Sequence, residues 1–263
     1  MLPALFVSHG APTFPLTDVP ARHFLENLAA ALRMRPKAIL VVSAHWETRR
    51  PTVNEVTVNE TIHDFYGFPK ALYDIVYPAP GSADLAARVR ALLEAGGLTV
   101  DTDRTRGLDH GAWVPLRLLY PDADIPVVQL SVQTHLGPEH HLRLGRLLAP
   151  LRMEGVLIVG SGSFTHDLSS FRDYAHAIDA PEPVWVTEFA HWMDAAIQEQ
   201  RTADLLDYRS RAPSAARNHP TEEHLLPLFL AMGAGGAAAK RLHASTIHGI
   251  LRMDVYAFGE IGA

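Results

Sequence analysis

The chain contains no cysteine. Disulfide scaffolds, thiolate zinc sites, iron–sulfur clusters and cysteine nucleophiles are therefore excluded. Dense basic runs are also lacking, and the net charge is −6 with histidine neutral. That balance argues against nucleic acid or an anionic membrane as the main partner, while a local basic pocket could still receive a small anion. No uncharged apolar run approaches membrane-spanning length. Met1–Phe6 is apolar but short, with no basic segment before it and no small-residue cleavage site, so no signal peptide is expected and the expected location is the cytoplasm. There is no internal repeat, no low-complexity tract and no linker-like stretch, so residues 1–263 read as one domain, long enough to bury a sizeable core. Nothing in the pattern separates a monomer from a small homo-oligomer.

What is present is histidine: 15 residues in 263, in an otherwise ordinary composition of 48% hydrophobic and 20% charged residues. Imidazole is the commonest biological metal ligand and titrates nearest neutrality. A count alone proves nothing, so position decides.

Continuous apolar, β-branched runs predict strands covered on both faces at Ala4–Val7, Ala38–Val42, Ile125–Leu130, Gly155–Val159 and Met253–Phe258. Thr52–Val58 alternates weakly and reads as an edge strand. Apolar residues at three-to-four spacing predict helices over Ala21–Arg33, Ala83–Ala95, Gly137–Leu151, Glu182–Gln198 and Leu225–Met232, with a flexible loop opening at Gly233–Gly236. The strand–helix alternation predicts an α/β fold: a sandwich with a central mixed, largely parallel sheet flanked by helices.

In open α/β sheets, ligands gather at the carboxyl ends of strands. Three predicted strands run into histidines there: Ser8-His9-Gly10, Ser43-Ala44-His45-Trp46, and Gly160 to His166-Asp167. The small residues beside them let backbones approach closely and leave room for a bound group. A lone strand-end histidine is more often a plain loop residue; three repeats of the pattern favour a shared site. His63, His110 and His224 are further candidates in loops or at helix starts. Glu222 and Glu223 read as favourable charges at a helix N-terminus, His219 as an extended residue before Pro220 facing solvent, and His140 and His141 as a solvated helix face with Glu139 and Arg143. His23, His135, His176, His191, His243 and His248 have no supporting motif.

The metalloprotease pair of histidines one turn apart is absent. Gly160-Ser-Gly-Ser-Phe164 fails the nucleophile-elbow pattern at its fifth position, and no lysine follows it as in a phosphate-binding loop. Several imidazoles with hard oxygen ligands suit Fe(II), Mn(II) or Zn(II). Such a centre would attract a bidentate dianion such as a catecholate. It permits a ring-opening oxygenase, a hydrolase that activates metal-bound water, or a non-catalytic relative on the same scaffold.

The ordered set Ser8–Pro12, Ser43–Trp46, Ile62–Pro69, Tyr77–Gly81, Asp109–Trp113, Tyr120–Pro126, His166–Leu168 and Glu223–Pro227 resembles the DODA-type (4,5-DOPA) extradiol ring-cleaving dioxygenases. These belong to the class III extradiol, protocatechuate 4,5-dioxygenase-like superfamily. Any one motif is weak; the combination in order, spanning nearly the whole chain, is specific. The resemblance implies an α/β sandwich and an enzyme that opens a catechol ring with O₂. It implies metal ligands at His9, His45 and His224, a base at His166, and at His110 a histidine that hydrogen-bonds oxygen or substrate. Fe(II) is the ion expected for activity, with Zn(II) as the alternative. His63, Trp46, Phe65, Tyr66 and Trp113 are candidate walls for the aromatic substrate, and Arg104, Arg106, Lys70 and Arg241 candidate partners for its carboxylate.

Overall fold

A computed structural model describes residues 1–32, 34–174 and 177–260, without the side chain of Arg172; His176 lies outside the described residues. The strands are β1 (Ala4–Ser8), β2 (Ala38–Glu47), β3 (Thr52–Asn54), β4 (Asp101–Asp103), β5 (Val127–Val132), β6 (Val156–Gly162), β7 (Ala239–His243), β8 (Thr246–Ile247), β9 (Leu251–Arg252) and β10 (Val255–Phe258). Eight of them form one sheet in the order β4-β3-β5-β2-β6-β1-β10-β7, and β8 and β9 form a separate hairpin. Pairings β5–β2, β2–β6, β6–β1 and β3–β4 are parallel, and β1–β10, β10–β7 and β3–β5 antiparallel. The sheet is thus mixed and largely parallel, as expected.

Helices of ten or more residues among the described residues are α1 (Pro20–Ala31), α2 (Ala83–Ala95), α3 (His110–Leu119), α4 (Gly137–Leu148), α5 (Val184–Gln198) and α6 (Leu226–Gly235). They flank the sheet on two sides because side chains alternate along each strand. Ala4 and Phe6 of β1 join the core packed by α2, α4, α5 and α6, whereas Leu5 and Val7 join the core packed by α1 and α3. No described helix is long and apolar enough to cross a membrane.

Several expectations fail informatively. Of the expected edge strand, Thr52–Asn54 joins the sheet and Val58 makes an isolated bridge to Pro80; β3 lies inside the sheet, with Asp101–Asp103 outside it. That edge is acidic and carries no apolar signal. The other edge, Ala239–His243, follows the expected loop and is only partly buried, which blurs its alternation. Arg33, the expected end of the first helix, lies outside the described residues.

His141 is the sharpest departure, being fully buried rather than solvated. Its Nδ1–H donates to the Gly137 carbonyl at 2.7 Å, and its Nε2 accepts from the Gln133 amide at 3.1 Å. Both nitrogens are committed to backbone, so the ring is neutral, and burial holds its pKa down at about 3. Because the unfolded chain protonates near 6.5, this contribution is complete above that pH and is lost as pH falls toward 3. Across that window one such group changes stability by about 1.4 kcal/mol per pH unit. Urea unfolding of His141→Gln at pH 7, 6 and 5 should show a correspondingly shallower acid dependence than the parent protein. Coincident slopes would show that His141 does not titrate on unfolding.

Candidate metal centre

The parallel trio β2-β6-β1 brings the histidines together. His9 is the first residue past β1, and its amide donates to the Gly162 carbonyl at 2.9 Å. His45 lies within β2, not in a loop beyond it, where pairing with β5 shifts register between Val42 and Glu47. His224 sits in the turn just before α6, and Pro227 falls in that helix's first turn, where a missing N–H does no harm. The turn lies directly on β6. A Cβ at Gly160 would stand 2.2 Å from the Pro227 carbonyl oxygen, and one at Gly162 2.0 Å from that of His224. The Gly160–Gly162 stretch is therefore neither an elbow nor a phosphate cradle; it lets the turn that carries His224 touch the strand.

Nε2 of His45 lies 3.0 Å from Nε2 of His9 and 3.3 Å from Nε2 of His224. The hydrogen-bond network assigns the tautomers. The Ser161 hydroxyl donates to the Gly111 carbonyl, so it accepts from His9 Nδ1–H at 3.1 Å. Glu223 Oε1 accepts from His224 Nδ1–H at 3.0 Å. The Nε2 lone pairs of His9 and His224 thus converge bare on His45. Burial holds both groups well below the usual histidine range, and neighbouring imidazoles push further down. Such crowding of lone pairs fits a cation. Two nitrogens each about 2.1 Å from one ion stand about 3.0 Å apart at a right angle and about 3.4 Å apart at a tetrahedral angle. The observed spacings fall at these edge lengths.

Glu223 is thus turned inward, with its side chain only 15% exposed, and is more than a helix-start charge. A carboxylate on the far nitrogen fixes a ligand's tautomer and raises its basicity. Glu223→Gln should weaken ion affinity about 10- to 100-fold, read by competition with a chromogenic chelator. Unchanged affinity would remove Glu223 from this role.

Two further histidines flank the trio. His166 stacks on His224, with ring centroids 3.5 Å apart and planes 11° apart. Burial brings its pKa down to about 4, so it is an unprotonated base near neutrality. His110 opens α3 and packs 3.9 Å from the His45 ring. Its Nδ1–H donates to Asp64 Oδ1 at 2.8 Å, and its backbone amide donates to the same oxygen at 3.0 Å. Burial works to raise the Asp64 pKa, but the His110 contacts outweigh it and carry the carboxyl down to about 2. His45 Nδ1 lies 3.8 Å from Asp64 Oδ2, beyond hydrogen-bond reach.

The histidines open onto a cavity of about 500 Å³ with mostly apolar walls, among them Phe68, Leu168, Phe171 and Leu251. A more open cleft of about 750 Å³ near Arg50 and Arg104 gathers no histidine. The expected aromatic walls lie elsewhere. Tyr66 is 91% exposed, and Trp46 is buried beneath the Arg106 guanidinium. His63 donates to the Ile75 carbonyl and Trp113 to the Ile62 carbonyl. With Phe65 these two rings form an aromatic pack, and Phe65 reaches the His110 ring at 5.9 Å. Phe68 lay inside a quoted motif and Phe171 just beyond one, so both were within reach of the sequence. His248 also lines the cavity and had no such signal. His219 is buried, not solvated, because the chain folds back beneath β6; its Nε2–H donates to the Phe164 carbonyl at 3.1 Å.

Buried imidazoles converging at parallel strand ends, beside an apolar cavity, define a metal-dependent enzyme acting on a small apolar-bodied molecule. Residues 3–257 match the family described as the catalytic LigB subunit of aromatic ring-opening dioxygenase. The chain is 47% identical to a 4,5-DOPA dioxygenase extradiol of Beta vulgaris, covering 96% of this chain and 95% of that protein. It is 43% identical to the Portulaca grandiflora protein of the same name, over 98% and 96%. A 4,5-DOPA dioxygenase extradiol of Escherichia coli K12 is 42% identical, over 89% and 85%. A crystal structure of an uncharacterized Escherichia coli K12 protein superposes with a TM-score of 0.78 at 33% identity, covering 98% of this chain and 100% of that one. The chain belongs to the LigB family and is an extradiol aromatic ring-opening dioxygenase. That family is metal-dependent, and the histidine and aspartate cluster is where this chain offers ligands. Neither a hydrolase nor a non-catalytic scaffold finds support among these relatives.

Proposed function

We propose that His9, His45 and His224 hold one divalent ion, Fe(II) in the active enzyme, and that the substrate is a catechol with a DOPA-like side chain. The observation that carries this reading is the meeting of three Nε2 atoms at 3.0 and 3.3 Å beside an apolar cavity and an unprotonated base. The names of the relatives support the side chain. When bound, the ion would supply a Lewis acid for the catechol oxygens and a path for electrons from the catecholate to O₂. Zinc has no redox chemistry, which favours iron, although a three-histidine set holds zinc well.

The chain's own residues do the rest. His166, neutral and beside the ligand trio, takes the phenolic proton. His110 has its Nδ1–H committed to Asp64, so Nε2 is the ring nitrogen left to meet an oxygen of the reacting group. The cavity's apolar side chains exclude water from the ring.

Anaerobic loading with Fe(II) or Zn(II), followed by oxygen uptake with catechol or L-DOPA, tests the proposal. Fe(II) should give a yellow ring-opened product matched to O₂ consumed, and Zn(II) none. His9→Ala and His45→Ala should each lose the ion. Ester or amide hydrolysis without O₂, or stoichiometric metal in both variants, would sink it.

A further inference from the structure

We infer that His248 is a specificity-determining residue, the partner for a carboxylate on the catechol's side chain; this rests on the catechol reading above. The sequence offered four cations for that task, and each is paired elsewhere. Lys70 holds Asp74 at 2.5 Å, Arg104 holds Glu55 at 3.2 Å, Arg106 holds Asp109 at 3.0 Å and Arg241 holds Asp194 at 3.2 Å. None of them lines the cavity, and no aspartate or glutamate does.

Among the described residues, the ionisable side chains on the wall are all imidazoles: His9, His45, His110, His166 and His248. The first four belong to the metal centre and its base. Histidine can ionise only to a cation, so the wall offers a counter-charge to a carboxylate and none to an ammonium. Among the described residues, the other polar side chains on the wall are the hydroxyls of Thr13 and Ser163, and Ser163 donates to the Thr165 carbonyl.

His248 is held for the purpose. It sits in the turn between β8 and β9 with φ +54°, followed by Gly249 at φ +67°. A Cβ at Gly249 would stand 2.7 Å from the Pro181 carbonyl oxygen, so the turn is wedged against that segment. The His248 amide donates to Ile178 and its Nδ1–H to the Ala177 carbonyl at 3.2 Å. A carbonyl only accepts, so the proton is fixed on Nδ1 and Nε2 is the ring's remaining polar atom. Below the turn, Arg252 is locked to Asp254 at 2.7 Å and to Glu182 at 2.7 Å. A carboxylate reaching Nε2 of the doubly N–H form of this ring would gain a charge-assisted hydrogen bond.

The test is calorimetric binding to zinc-loaded protein, which needs no turnover. Four probes separate the groups: L-DOPA, 3-(3,4-dihydroxyphenyl)propionate with a carboxylate alone, dopamine with an ammonium alone, and 4-methylcatechol with neither. His248→Asn tolerates the left-handed backbone and removes the ring. It should weaken the two carboxylate probes about tenfold, as loss of one charged contact does, and leave the other two within about twofold. His248→Arg should recover the carboxylate probes. Equal loss across all four, loss confined to dopamine, or no change would overturn the assignment. Failure of the parent protein to bind even 4-methylcatechol would instead overturn the catechol reading, and this inference with it.

Discussion

Replacing His166 with alanine should leave the ion in place while cutting ring opening by about 10²- to 10⁴-fold, the usual contribution of a positioned base. The separation follows from geometry. His166 meets the proposed trio through a ring stack on His224, and it groups with Glu223 and His224 rather than with the His9–His45–His224 set. Its removal takes away the imidazole proposed as the base and leaves the spacing of His9, His45 and His224 set by Ser161, Glu223 and the strands. Metal content by atomic absorption and turnover by oxygen uptake read the two quantities separately. Near-parental cleavage would show that the phenolic proton leaves by another route. Loss of the ion would show that His166 is a fourth ligand.

Gly162→Ala should damage the centre from outside it. The new methyl would fall 2.0 Å from the His224 carbonyl oxygen, which accepts the Ser163 amide at 2.9 Å. Backbone stands on both sides, so no side-chain rotation relieves the clash. Overpacking of this kind costs about 1–3 kcal/mol, and relief requires the turn to lift from β6. His224 moves with it, and a displacement of a few tenths of an ångström already breaks a bond near 2.1 Å. The expected result is a lower melting temperature together with at least tenfold weaker ion binding. A variant that binds the ion as the parent does would show that the turn yields without moving the ligand.

Much of this was legible in the chain before any coordinates. Buried parallel strands are read from continuous apolar runs, and three such runs end in histidine-bearing segments beside small residues. That pattern marked His9, His45 and His166 together. His224 was harder, because its place depends on a turn pressed onto β6 by Gly160 and Gly162, a contact between segments some sixty residues apart. Burial of His141 and His219 was invisible for a related reason: each ring has a nitrogen bonded to a backbone group of another segment, and polar periodicity cannot report that. The aromatic residues misled in a different way. Trp113, Phe65 and His63 buttress His110, while the wall facing the cavity comes from Phe68, Phe171 and the β8–β9 turn, which carry no periodic signal.

β1 is threaded between β6 and β10, so the first strand of the chain is hydrogen-bonded to one of the last. The three imidazoles inherit that interleaving, with two from the opening fifty residues and one from the closing fifty. The trio therefore cannot assemble before the segment carrying His224 has been made and laid on β6. An ion held there, as proposed, would tie β1 and β2 to the turn before α6 and would raise stability with the logarithm of its free concentration.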